Sequence, residues 1–240
     1  MKKARIYEFD AVIFDMDGVL IDSRSVIEEA WCFVAKKHGK FLSKQERNHH
    51  IHGRTGIQTV AYLFGDLPKI EQKNLWNCVD QIEETANYQE IKGACYFVNS
   101  LYNAGVKIGL VTSSWRTKID NALSGLGILE KFHKQVTRDD VIHGKPAPDP
   151  YLKCAQLLEI DPKNILVFED AISGVTSATK AGATCIGIGE SELLEAGATA
   201  LISDFSELKI KVIKEGTAVI FDLPNQCQIT IFAKAKKFKN

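Results

Sequence analysis

Residues 11–23 read AVIFDMDGVLIDS. Four apolar residues in a row ending in an aspartate suit a strand buried on both faces of a parallel sheet, with a polar turn at its carboxyl end. Working outward, similar runs recur at 106–111 (VKIGLV), 165–168 (ILVF), 184–188 (TCIGI) and 200–202 (ALI). Helical patterns lie between them. They fall at 93–104, closed by Gly105; at 115–126, closed by Gly127; and at 150–158, where Asp149 and Pro150 offer an N-cap and a first-turn proline. Strands alternating with helices of this length predict an α/β fold with a doubly wound parallel sheet.

One segment breaks the alternation. From about 24 to 90 no strand pattern occurs, whereas Ile27, Ala30, Trp31, Val34 and Ala35 follow helical spacing and Gly39 stops the helix. Ile70, Leu75, Val79, Ile82 and Ala86 form a second such pattern. A helical block of this size between the first two strands predicts an inserted cap domain over 24–91, with linkers near 22–26 and 89–93 and a core made of 1–23 and 92–240. Within that core, 206–240 forms a C-terminal extension, where TAVIFD (217–222) and QITIFA (228–233) predict a β-hairpin.

The composition is that of a globular protein: 240 residues, 45% hydrophobic and 25% charged, with 30 basic and 30 acidic side chains. Zero net charge gives no global attraction to nucleic acid or to a membrane, so neither is expected as a partner. Seven lysines within 209–240 face only Glu215 and Asp222, but without interleaved stacking aromatics they read as a solvated face. The six cysteines (Cys32, Cys78, Cys95, Cys154, Cys185, Cys227) form no CxxC pair and are expected to be reduced. Glu8, Asp10 and Asp15 interrupt the N-terminal apolar stretches, which fits neither a signal peptide nor a spanning helix, so the expected location is cytoplasmic.

In open α/β sheets the ligand sits beyond the carboxyl ends of the strands, so the candidates are polar residues directly after apolar runs. These are Asp15 and Asp17; Thr112, Ser113 and Ser114; and Glu169 and Asp170, with Lys145 in the preceding HGKPAPDP loop. A dry site that gathers three such carboxylates without an arginine needs a cation, and an oxygen-preferring ion such as Mg2+ is the natural one. His49, His50 and His52 lack zinc-site spacing and read as structural or solvated. Gly187-Ile188-Gly189 lacks the rest of a dinucleotide fingerprint and reads as a strand-closing turn. Ser114 reads as the N-cap of the helix beginning near Trp115.

Asp15-x-Asp17-Gly18-Val19, Thr112 after a strand, Lys145-Pro146 and Glu169-Asp170, in that order, resemble the four motifs of the haloacid dehalogenase (HAD) superfamily. GKPAPDPYL and EDAISGVTSATKAG are similar to the branch that holds β-phosphoglucomutase and many small-metabolite phosphatases. The resemblance spans about residues 10–205 and implies a Rossmann-like core with a helical cap between the first and second motifs. It implies that Asp15 is a nucleophile forming an aspartyl-phosphate, and that Asp17 is general acid and then base. Asp15, Asp170 and the Asp17 carbonyl would ligate Mg2+, with Glu169 either a further ligand or an outer partner. Lys145 would neutralise phosphoryl charge, and Thr112 with the amides of Ser113 and Gly18 would cradle the phosphate. Arg54 would face the substrate from the cap.

The expected activity is Mg2+-dependent hydrolysis of a small phosphorylated sugar, polyol or glycolate, by a monomer or homodimer. A phosphosugar mutase is the nearest alternative, but Ile27 stands where the mutase places a histidine, and Gly56 where it places the arginine that grips a second phosphate. A non-catalytic binding or regulatory protein of the same fold is the alternative of another class, and its function would survive Asp15→Asn.

Overall fold

The computed structural model describes residues 6–51, 55–212, 218–223 and 228–233. The chain opens with β1 (Ile6–Phe9) and β2 (Ala11–Phe14). Helices α1 (Arg24–Lys37), α2 (Lys44–His50), α3 (Gly56–Phe64) and α4 (Lys69–Glu84) follow. Alternation then resumes with α5 (Ala94–Asn103), β3 (Lys107–Val111), α6 (Arg116–Gly125), β4 (Lys134–Val136) and α7 (Asp149–Leu158). It continues through β5 (Ile165–Glu169), α8 (Ile172–Lys180), β6 (Thr184–Ile188), α9 (Glu192–Glu195) and β7 (Ala200–Ile202). Strands β8 (Lys209–Val212), β9 (Ala218–Asp222) and β10 (Gln228–Phe232) come last.

Six strands form the expected parallel sheet in the order β4-β3-β2-β5-β6-β7. Strand side chains alternate in direction, so Val12 and Phe14 enter one buried cluster while Ala11 and Ile13 enter another on the opposite face. This explains why AVIF carries no polar residue. From β2 the chain crosses first to β3 on one side and later to β5 on the other. The crevice beyond the carboxyl end of β2 is therefore the switch point at which such sheets take ligands.

The C-terminal hairpin is present as the antiparallel β9–β10 pair, within a four-stranded sheet ordered β1-β10-β9-β8. Its flanking strands had no clear sequence signal, because IYEF is short and KIKV alternates lysine with aliphatic residues. Val219, Phe221, Ile229 and Ile231 point into the Val12/Phe14 cluster. There Phe97 of α5 stands edge-on to Phe221 at 5.3 Å and to Phe14 at 6.0 Å. The extension is thus a second layer over the core.

The insertion has an apolar cluster of its own around Trp31, Val34, Val60, Leu63, Phe64 and Val79. Two capping boxes start its shorter helices, Ser43 with Glu46 and Thr55 with Gln58. Ile70, expected on the buried face of α4, is exposed, and Ala86 lies past the helix end. The two connections to the core run side by side: the Asp22 amide donates to the Gln89 carbonyl at 2.9 Å, and that of Ile91 to Leu20 at 3.0 Å. At α7 the helix begins one residue earlier than expected, so Pro148 takes the N-cap position and Asp149 the first turn. Among the described residues no helix is long and apolar enough to cross a membrane.

Candidate active site

Asp15 follows β2 directly, and its amide donates to the Phe168 carbonyl at 3.0 Å, fixing it against β5. Lys145, from the loop before α7, sends its Nζ to Asp15 Oδ1 at 2.6 Å, to Glu169 Oε1 at 2.6 Å and to the Val111 carbonyl at 3.2 Å. The carboxylates of Asp15, Glu169 and Asp170 lie with oxygens within 4.8 Å of one another. Strand ends distant in sequence have thus been gathered into one cluster of three carboxylates and one ammonium.

The charge imbalance shows in the acidities. Burial, only partly offset by Lys145, lifts Asp15 from 3.8 to about 7, with Glu169 and Asp17 adding repulsion. Burial, Asp15 and Glu169 likewise push Asp170 well above the usual carboxylate range. Such a cluster fits a hard divalent cation, because all its donors are oxygen and it holds more negative charge than Lys145 can balance. Glu169 has little capacity left for an ion. Its Oε1 accepts from Lys145 and from the Tyr151 hydroxyl at 2.6 Å, and its Oε2 from the amides of Asp170 (3.1 Å) and Ala171 (3.3 Å). That accounts for the lone pairs of a carboxylate.

Asp17 sits in the opposite environment. Its Oδ2 accepts from the Ser114 hydroxyl at 2.7 Å and its Oδ1 from Lys118 Nζ at 2.7 Å. Burial alone would raise this carboxyl, but the Lys118 charge and these hydrogen bonds hold it below its usual value. Lys118 is buried on α6 and also donates to Glu83 Oε2 of α4 at 2.7 Å. Burial opposes its charge, yet Asp17 and Glu83 keep it protonated with a raised pKa.

Thr112 is buried after β3, and its hydroxyl oxygen accepts from the Ser114 amide at 3.0 Å; Ser113 beside it is exposed. Ser114 does not cap α6. That position belongs to Trp115, and the Ser114 hydroxyl turns to Asp17 because it lies buried at the strand end. Gly18 has φ +75°, and a Cβ there would lie 2.0 Å from Asp170 Oδ2, so only glycine lets the two loops meet. Its amide donates to the Ile21 carbonyl at 2.9 Å, so it tightens the turn instead of pointing at a ligand. Arg54 and His52 lie outside the described residues, and the His50 ring stacks on Tyr62.

Residues 12–188 match the haloacid dehalogenase-like hydrolase family over most of the chain. The chain belongs to that family. Among relatives of this hydrolase, hexitol phosphatase A of Escherichia coli is 33% identical over 73% of this chain and 81% of its own. The phosphorylated carbohydrates phosphatase of Thermotoga maritima is 33% identical over 86% of this chain and 99% of its own. A crystal structure of β-phosphoglucomutase from Clostridium difficile superposes with a TM-score of 0.73 at 25% identity, covering 87% of this chain and 96% of the other.

Sequence reasoning missed Lys118, Glu83 and Tyr151 in this hydrolase. A signal existed for Lys118, which shares the buried face of α6 with Ile119, Ala122 and Leu123. A lysine on an apolar face needs a buried partner. Which carboxylates would meet it depends on how the insertion seats, and local spacing carries no information about that.

Proposed function

We propose that the chain is a phosphatase that hydrolyses monoesters of small hydroxylated metabolites, such as sugar, polyol or glycolate phosphates, through a phosphorylated Asp15. The observation that carries this reading is the pair of contrasting aspartates at the switch point: Asp15 clamped by Lys145 beside Asp170, and Asp17 held by Ser114 and Lys118. An Asp15 carboxylate oxygen attacks phosphorus, and the bond to the leaving alcohol breaks. Asp17, two residues on, serves that alcohol as proton donor when protonated. As the carboxylate that Lys118 and Ser114 favour, it takes the proton of the water that hydrolyses the phosphorylated Asp15. Lys145 balances phosphoryl charge, and Glu169 with Tyr151 orients Lys145. Asp15 and Asp170, with the Asp17 carbonyl, would hold Mg2+, which when bound neutralises charge on the phosphoryl oxygens.

Two observations support hydrolysis over mutase chemistry. Ile27 packs against the insertion's apolar cluster and offers no polar group. At Gly56 a Cβ would lie 2.4 Å from Trp76 Nε1, so Trp76 fills the space an arginine there would need. In this reading residues 24–91 act as a cap that opens on the paired linkers to admit substrate. The five described cysteines are free thiols, which suits a reducing, cytoplasmic setting.

The test is phosphate release from a panel of sugar, polyol and glycolate phosphates, with and without Mg2+. Release should need Mg2+ and fall at least about a thousandfold in Asp15→Asn. Conversion of a sugar 1-phosphate to its 6-phosphate without phosphate release would instead establish a mutase. No turnover at all, with ligand binding that survives Asp15→Asn, would instead support a binding protein.

A further inference from the structure

The seam between the insertion and the core carries charge and indole rings, beside Val26, Ala86 and Tyr88 near the linkers, which pack into the core's apolar cluster. Along α4, Trp76, Asp80, Glu83 and Glu84 recur at helical spacing, and each meets the core. The Arg138 guanidinium lies 4.8 Å from the Trp76 ring and 4.4 Å from the Trp115 ring, and its Nη2 donates to Asp80 at 2.7 Å. Trp115 Nε1 donates to Glu84 Oε2 at 3.0 Å, and the Asn121 amide to the Glu84 carbonyl at 3.1 Å. Deepest lies Lys118, its side chain 1% exposed. Its Nζ sits 2.7 Å from a carboxylate of the core and 2.7 Å from one of the insertion, and 5.5 Å from the Tyr88 ring. The Tyr88 hydroxyl in turn donates to the Glu83 carbonyl at 2.7 Å.

A buried ammonium is tolerated only when carboxylates pair with it, and breaking such a pair leaves an uncompensated charge. Here the two partners come from different parts of the molecule, so the pairing is complete only while α4 is seated. Resting on the phosphatase reading, we propose that Lys118 is a positioning residue that ties seating of the insertion to the orientation of Asp17. Glu83 fixes the ammonium, and the ammonium with Ser114 then fixes both oxygens of the Asp17 carboxylate. Lifting α4 withdraws Glu83, lets water reach Lys118 and releases the hold on Asp17.

The experiment is a mutant cycle on the full chain, using the best substrate of the panel. Glu83→Gln, which keeps shape and loses charge, should lower kcat about tenfold, and Lys118→Met about a hundredfold. Inhibition by inorganic phosphate should stay at the wild-type level, because Lys145 and Thr112 make no contact with this pair. The double variant should be no worse than Lys118→Met, and Lys118→Arg should recover part of the rate. Losses that multiply in the double variant, phosphate inhibition that weakens in step with kcat, or wild-type kcat in Glu83→Gln would each overturn the proposal.

Should Lys118→Met fail to fold, Glu83→Gln and Lys118→Arg still decide the matter. Should wild type cleave no phosphomonoester, the phosphatase reading falls, and amide exchange over 69–84 and 115–121 becomes the arbiter. Faster exchange in Glu83→Gln supports the seating role, and unchanged exchange removes it.

Discussion

The C-terminal sheet meets the core through Val219, Phe221, Ile229 and Ile231, which are buried with Phe97 and Phe14 in one continuous cluster. Away from the linkers, where Val26, Ala86 and Tyr88 pack into the core cluster, the helical insertion meets it through Arg138, Lys118 and Trp115, opposed by carboxylates of α4. The insertion's own apolar cluster is separate from those of the core. Apolar burial is non-directional and lost only by exposing the whole surface, so it suits a permanent contact. The partly exposed Arg138–Asp80 pair is worth little, and the buried Lys118–Glu83 pair is complete only while α4 is seated, so this contact is directional where the apolar one is not. In the proposed reading the second attachment is the one that opens.

The largest test of this contrast is Phe97→Ala. Removing a ring that touches Phe14, Phe168, Phe205 and Phe221 should cost about 3–5 kcal/mol of global stability in urea unfolding. A cost near zero would mean that the second sheet is not cemented to the core.

A second test addresses the site between the two attachments. Asp15 titrates at about 7 when folded against 3.8 for the free group, so between those values the folded state binds a proton that the unfolded state lacks. Stability of the metal-free protein should therefore fall as pH rises from about 4 to 7, a slope that Asp15→Asn should flatten. At pH 7, Mg2+ should raise the melting temperature of wild type but not of Asp170→Asn.

The smallest expected effect is at the seam. Arg138→Met breaks the pair with Asp80, whose partners are 25% and 17% exposed, and should cost about 1 kcal/mol or less in urea. It should nevertheless speed amide exchange in α4 well before global unfolding, as added salt should in wild type. Equal losses from Phe97→Ala and Arg138→Met would erase the distinction between the two attachments.

Most of the parallel sheet was legible because β2, β3, β5, β6 and β7 are short apolar runs, and Asp15, Thr112 and Asp170 stand just past the carboxyl ends of three of them, with Lys145 in the loop before α7. What escaped was of two kinds. Strands β1, β4 and β8 are three or four residues long and carry lysine, glutamine or glutamate, so periodicity had too little to act on. The links of Asp17 to Lys118 and of Lys118 to Glu83 join residues 101 and 35 positions apart, and only tertiary folding brings them together. Ser114 shows the same limit: its type suited a cap, and a buried carboxylate proved the stronger partner.

Strand β1 pairs in parallel with β10, Ile6 opposite Gln228 and Phe9 opposite Ile231. Along the ribosome this means that β1 finds its partner only after more than two hundred further residues have emerged. Until then β1 has no neighbour in its sheet, and the apolar face of α5 around Phe97 is uncovered by β9 and β10. The parallel sheet can assemble while synthesis continues, but the second layer cannot. Closure of that layer therefore follows assembly of the parallel sheet, and a chain stopped short of residue 228 leaves β1 without its partner and Phe97 without its cover.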